Sequence, residues 1–196
     1  DDVIDTPILY EGELTSLQSN HSIYKRGFTK DILQKWGCLE NKYGDLVIPI
    51  SSSNEDVLGW ITRRTWGVPK YLYSKGFRKS KTLFGLNHLQ NVDTLFVVEG
   101  VLDCMWLDQH GYPSVAILGA SISPTQINLL SKYNPNEVVL CLDSDSAGQA
   151  GIKKATFDMN NRFMLSYVEF PNNKKDFQEI RNSNELDIVI KNRSLW

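Results

Sequence analysis

Glu99, Asp143 and Asp145 are the residues of this chain whose types and spacing could carry out chemistry. Glu99-Gly100 ends the apolar run Leu95 to Val98, Asp143-Ser144-Asp145 ends the run Glu137 to Leu142, and one further strand-like segment lies between them. Carboxylates crowded at one edge of a sheet repel one another and take up protons unless a cation neutralises them. Mg²⁺ prefers such oxygen ligands and leaves its remaining positions to water and phosphate. The pattern therefore points to divalent-metal chemistry on nucleotide phosphates. A lone Asp-x-Asp after a strand is more often only a helix cap and a solvated loop acid; Glu99 on the same sheet edge turns the balance toward the metal.

These acids need particular elements to position them. Leu95 to Val98 is apolar without alternation, as in a parallel strand covered on both faces, and Gly100 permits the tight turn that follows. Val101 to His110 places Leu102, Met105 and Trp106 at helical spacing, with Asp103 in the first turn. Ser114 to Leu118 reads as a second buried strand. Ser123-Pro124-Thr125-Gln126 then carries an N-cap serine, a proline at the first helical position and a capping-box glutamine, so a helix follows with Ile127, Leu130 and Tyr133 facing inward. Glu137 to Leu142 is a third strand, Ser146 to Asn160 a helix with Ala150, Ile152, Ala155 and Phe157 available for packing, and Met164 to Phe170 a fourth strand. Strands alternating with helices imply a mostly parallel α/β sheet with right-handed crossovers, whose ligands bind beyond the carboxyl ends of the strands.

The upstream half has a different character. Between Asp56 and Asp93 there is no carboxylate, yet Arg63, Arg64, Lys70, Lys75, Arg78, Lys79 and Lys81 all lie there, in a chain of net charge -2. Polarity is thus local, a cationic stretch beside an acidic site, which suits a single-stranded nucleic acid guided past bound metal. Trp60, Trp66, Tyr71, Tyr73 and Phe77 are interleaved with the cations, available either to stack on bases or to fill a small core. Leu14 to Lys25 and Thr29 to Trp36 read as short helices; Leu46 to Ser53 and Val57 to Arg64 read as paired strands. At 196 residues the expectation is one catalytic core of two subdomains, residues 1–92 mixed α/β with antiparallel strands and residues 93–196 mostly parallel, joined near Gln90 to Asp93.

The motifs carry a family resemblance. Val97-Val98-Glu99-Gly100 with Asp103, Ile117 to Ser121, and Leu142 to Gly148 resemble the TOPRIM domain of primases, topoisomerases and some nucleases. Lys25-Arg26-Gly27, the Gly59-to-Arg63 spacing, Pro69-Lys70-Tyr71-Leu72, and Phe77-Arg78-Lys79 leading to Leu83-Phe84-Gly85-Leu86 resemble the RNA-polymerase core of DnaG-type bacterial and phage primases, over about Tyr24 to Ile180. The resemblance implies a nucleotidyltransferase that copies single-stranded DNA into short RNA primers from ribonucleoside triphosphates. It implies Asp143 and Asp145 as principal ligands of Mg²⁺ or Mn²⁺, two or more ions in all, and Glu99 as ligand or general base. Asp103 and Asp176 would support the metal, and Arg63, Arg64, Lys70, Lys79 and Lys81 would contact template or triphosphate. Where the family often has another acid two positions beyond Asp176, this chain has Gln178, and its Tyr-Leu-Asn-Ser-Pro stretch reads Tyr71-Leu72-Tyr73-Ser74-Lys75. A zinc-binding domain and a replicative helicase would be engaged through flanking regions, since the chain starts at Asp1 without methionine and reads as a fragment.

Three rivals remain: a topoisomerase, for which the chain is too short to hold a strand-passage region with its tyrosine; a TOPRIM nuclease; and a non-catalytic single-strand-binding module. Cys38, Cys104 and Cys141 are too widely spaced for a zinc ribbon and odd in number, so a reduced cytoplasmic setting is expected. His21, His88 and His110 are scattered and read as surface or cap residues. No signal peptide, membrane span, Walker loop or dinucleotide fingerprint is present in these residues.

Overall fold

The computed structural model describes residues 10–142, 146–171 and 174–196, the side chains of 146–152 apart. The chain divides into two compact units, Asp1–Phe77 and Arg78–Trp196.

The first unit is built on an antiparallel meander of β1 (Leu14–Ser16), β2 (Leu39–Asn41), β3 (Leu46–Ser51), β4 (Val57–Arg63) and β5 (Tyr71–Tyr73), paired in that order. β3 and β4 form its centre, with Ile48 opposite Ile61. Leu46, Val47, Ile48, Ile50 and Ile61 are fully buried, so β3 is covered on both faces at its start and alternates only from Ile48 onward. α1 (Lys30–Lys35) begins where Thr29 accepts a hydrogen bond from the Ile32 amide, as its capping position requires. The helix expected over Leu14 to Lys25 is absent. Leu14 to Ser16 instead pair with β2, and the polar run that follows bonds to its own backbone. His21 is buried, its Nδ1 accepting from the Ile23 amide at 3.1 Å and its Nε2 donating to the Gly44 carbonyl at 3.1 Å. Such local side-chain bonds compete with helix, and they make His21 an interior tie rather than a surface residue.

In the second unit, β6 (Thr94–Val98), β7 (Ser114–Ala116), β8 (Glu137–Cys141) and β9 (Met164–Tyr167) are parallel, and β10 (Ser194–Leu195) adds antiparallel to β9, in the order β10-β9-β8-β6-β7. α2 (Val101–Gln109), α3 (Pro124–Tyr133) and α4 (Ser146–Met159) connect the parallel strands, and α5 (Ser183–Lys191) precedes β10. Leu95 to Val98 are all buried, which explains their unbroken apolar run. One core joins Leu95, Val97, Val138, Leu140 and Leu165 of the sheet to Ile127 and Leu130 of α3 and to Ala155 and Met159 of α4.

Leu83, Leu86, Leu89 and Val92 belong to this same core, and Phe84 exchanges two backbone hydrogen bonds of 3.0 Å with Ala116. Residues 78–92 therefore pack with the second unit, whereas the sequence reading ended the first subdomain at 92. The cations Arg78, Lys79 and Lys81 dominate that segment in sequence, but the leucines that follow decide where it docks.

At the amino end of β8, Glu137 is buried and accepts from Arg193 Nε at 2.7 Å, Arg193 Nη2 at 2.8 Å, Ser166 Oγ at 2.6 Å and Thr94 Oγ1 at 3.3 Å. This cluster ties β6, β8 and β9 to Arg193, between α5 and β10. Among the described residues no helix is long and apolar enough to cross a membrane.

Candidate functional site

The order of strands places a topological switch at β6: the chain runs from β6 to β7 on one side, then passes through α3 to β8 on the other. A crevice opens at such a point, outside the carboxyl ends of the strands. Val98 stands opposite Cys141 in parallel register, so Glu99 leaves β6 level with Leu142 beyond β8. The chain then continues into Asp143-Ser144-Asp145, which lie outside the described residues.

The backbone around Glu99 is held closely. The Ile117 amide donates to the Val98 carbonyl at 2.9 Å and the Leu118 amide to the Glu99 carbonyl at 3.0 Å. To make that second bond Leu118 adopts φ 61, a left-handed conformation uncommon for leucine. The strand expected over Ser114 to Leu118 thus ends its ladder at Ala116, and its last two residues serve to fix the β6 exit. Gly100 caps α2, and a Cβ there would stand 3.0 Å from Asp103 Oδ2, which accounts for glycine beside that carboxylate.

Asp103, in the first turn of α2, is buried. Its Oδ1 accepts from both the backbone amide and the side-chain Nε2 of Gln178, each at 3.3 Å. The carboxylate thereby fastens the turn Phe177–Glu179 to the helix start. Asp176 caps that turn, accepting from the Glu179 amide at 3.1 Å. Glu99, Asp103 and Asp176 thus come from the end of β6, the first turn of α2 and the segment after β9. Among the described residues no group of three or more His, Cys, Asp or Glu side chains is gathered as a metal site. The Cys141 thiol, at the end of β8, is pushed well above the usual thiol range by burial, and the charge of Asp103 adds to the effect.

The basic residues fall into two groups, one in each unit. In the first, Arg63 at the end of β4 is 9% exposed, lies 6.0 Å from the Tyr71 ring centroid, and leaves its buried Nε without a hydrogen-bond partner among the described residues. Arg64 and Lys70 follow on the loop between β4 and β5. In the second, Lys79 and Lys81 are exposed on a short turn. That turn is clamped from below by the start of α3. Gln126, 1% exposed, directs Nε2 at the carbonyls of Lys79 (3.1 Å), Thr82 (2.9 Å) and Ile117 (2.9 Å), while Ser123 Oγ donates to the Ser80 carbonyl at 2.6 Å. Sequence reasoning found Gln126 only as a capping-box residue. Its larger task, holding two lysines outward over a fixed backbone, leaves no separate trace in the spacing.

Residues 96–181 match the family model of Toprim-like domains. A DNA primase of Clostridium acetobutylicum is 34% identical over 161 residues, 76% of this chain and 27% of its own length. The structure of the Aquifex aeolicus primase, with its zinc-binding and RNA polymerase domains, superposes with a TM-score of 0.77 at 23% identity, over 92% of this chain and 58% of that one. The chain has the DnaG-type primase core fold. A DnaG primase catalytic domain solved bound to single-stranded DNA matches with a TM-score of 0.74 at 21% identity, over 92% of this chain and 74% of that one. The chain spans about a quarter of the length of the curated primases it matches.

Toprim-like domains use divalent metal ions. Glu99 offers a hard oxygen donor at the switch point on a backbone fixed by neighbouring amides. Asp103 is less free to serve, because Gln178 already engages one of its oxygens. A carboxylate at position 178 would have faced Asp103 as a like charge and called for a cation between them. Here an amide takes that place.

Proposed function

We propose that this chain carries the nucleotidyl-transfer centre of a DNA primase, a DNA-directed RNA polymerase that makes short RNA primers on single-stranded DNA. The observation that carries the reading is the parallel register of β6 and β8, which brings the exit of Glu99 level with the strand that leads into Asp143-Ser144-Asp145. The bond between the Leu118 amide and the Glu99 carbonyl supports it, because an uncommon leucine conformation is maintained beside the acid.

Glu99, Asp143 and Asp145 would hold Mg²⁺ or Mn²⁺, two or more ions, with Asp176 at the outer position and Asp103 acting through the Gln178 contact. When bound, the metal lowers the pKa of an attacking 3′-hydroxyl and stabilises charge on departing pyrophosphate. Glu99 is alternatively the acceptor of the hydroxyl proton, a task that needs the same reach. The partner-free Nε of Arg63 supports an anion contact in the first unit, because a buried donor without an acceptor costs about 1–3 kcal/mol until one arrives. The first unit and the basic turn Lys79–Lys81 would then serve template binding, and residues 93–196 metal and nucleotide. A zinc-binding domain and a replicative helicase would act through other regions of a replication assembly in the cytoplasm.

Incubation with single-stranded DNA, labelled ribonucleoside triphosphates and Mg²⁺ or Mn²⁺ tests the activity. Template-dependent oligoribonucleotides are expected. Release of nucleotides from the DNA without added triphosphates would mark a nuclease instead. For the lysines, changing Lys79 and Lys81 together to alanine is expected to flatten the salt dependence of single-strand binding, lowering the slope of log K against log[salt] by about 1.4. An unchanged slope removes this turn from the template path.

A further inference from the structure

Of the five aromatic residues interleaved with the cations, four are occupied within the first unit. Trp60 packs edge-on against Tyr10, Tyr73 stacks on Phe77 at 6.0 Å, and Tyr71 lies under Arg63. Trp66 is different. It stands at the tip of the loop between β4 and β5, 73% exposed, with Val68 beside it 88% exposed.

This tip is braced rather than loose. At its base, buried Asp45 accepts from the Thr65 amide at 2.8 Å and from Thr65 Oγ1 at 3.1 Å. Across it, the Arg64 amide donates to the Lys70 carbonyl at 2.9 Å, Arg64 Nη1 to the Val68 carbonyl at 3.0 Å, and Lys70 Nζ to the Thr65 carbonyl at 3.2 Å. The Arg64 guanidinium also lies 5.7 Å from the Trp66 ring centroid, covering one face of the indole. Gly67, at φ 84, lets the guanidinium pass; a Cβ there would meet Arg64 Nη2 at 2.8 Å. With one ring face under a cation and the residue still largely exposed, the opposite face is held open to solvent.

We propose that Trp66 is a stacking platform for an unpaired base of single-stranded nucleic acid, with Arg64 and Lys70 beside it for the adjoining phosphates. Three physical points favour this occupant. An indole stacks on any base, so a sequence-tolerant template contact needs nothing more specific. Within the first unit, the stretch from residue 57 to 77 has no carboxylate and four Lys and Arg residues, which complements a polyanion. Finally, the bracing fixes the platform before binding, so little ordering cost falls on the complex. The inference rests on the single-strand template reading and adds to it a residue that the basic pattern alone does not select.

The test compares this chain with its Trp66→Ala and Trp66→Phe variants in titrations against oligo(dT) and against an abasic oligonucleotide of equal length. Trp66→Ala is expected to bind oligo(dT) about tenfold more weakly. Trp66→Phe should recover most of that loss, and the salt slope should stay unchanged because no charge is removed. On the abasic strand the native chain and Trp66→Ala should bind alike. Equal affinities of all three proteins for oligo(dT), or an equal loss on the abasic strand, overturns the platform. If the Lys79 and Lys81 changes flatten the salt slope while Trp66→Ala is silent, the template reading stands and this inference alone falls. Failure of the native chain to bind either strand removes both.

Discussion

Glu99→Gln is expected to lower template-directed primer synthesis by about a thousandfold while leaving the thermal midpoint and most single-strand binding in place. The substitution keeps the shape of the side chain and removes its charge. Its consequence for metal is large because a hard divalent ion draws its binding energy from anionic oxygen, and because charge stabilisation at the reacting phosphate is worth several kcal/mol. Its consequence for the fold is small because position 99 is fixed through its carbonyl, by the Leu118 amide, rather than through its carboxylate alone. Synthesis assays read the first effect and Mn²⁺ titration calorimetry gives an independent measure, with weakened ion binding expected. Alanine at Asp143 or Asp145 should abolish synthesis in the same way. Synthesis at the native rate in Glu99→Gln would take this residue out of the reacting centre altogether.

The second large effect is on stability. Glu137→Gln or Arg193→Met is expected to destabilise the second unit by about 2 kcal/mol, since the carboxylate is buried and its guanidinium partner part-buried, and removing one leaves the other's charge or donors uncompensated. The paired donors of Arg193, assisted by Ser166 and Thr94, hold the Glu137 carboxyl below the usual carboxylate range against the opposing effect of burial. A carboxyl depressed in the folded state contributes stability above its unfolded pKa, about 4.3, and loses it as pH falls through the folded value. The gap between native chain and Glu137→Gln should therefore be full at neutral pH and shrink in acid. Urea midpoints measured at pH 7 and pH 3 check this; a gap independent of pH would mean that the pair contributes through packing rather than charge. Glu137 sits at the amino ends of the strands, opposite the candidate site, so metal binding should be unchanged wherever the variant is folded.

The second unit was largely legible in sequence because its signals are local. Buried parallel strands need unbroken apolar runs, as at Leu95 to Val98, and the start of α3 announces itself through Ser123, Pro124 and Gln126, all used as expected. The first unit was less so. A short helix is what Leu14 to Lys25 suggests in sequence, yet pairing of Thr15 with Glu40 across a long sequence separation decides for a strand, and no local pattern records such pairing. α5 and β10 were not anticipated, because the apolar face of Leu186, Val189 and Ile190 is short and is recognised only against the sheet that it covers. At the candidate site, the acids could be found as types in a pattern, but the Gln178 contact with Asp103 could not. It joins residues far apart in sequence, and position 178 seemed only to lack an acid.

That contact has a consequence for how the rim behaves before any ion arrives. A pair of neutral amide donors already engages Oδ1 of Asp103, so the turn that Asp176 caps is anchored to α2 by the polypeptide itself. Chelators should leave that turn as firmly held as before, because its anchor is a hydrogen bond within the polypeptide and not an ion.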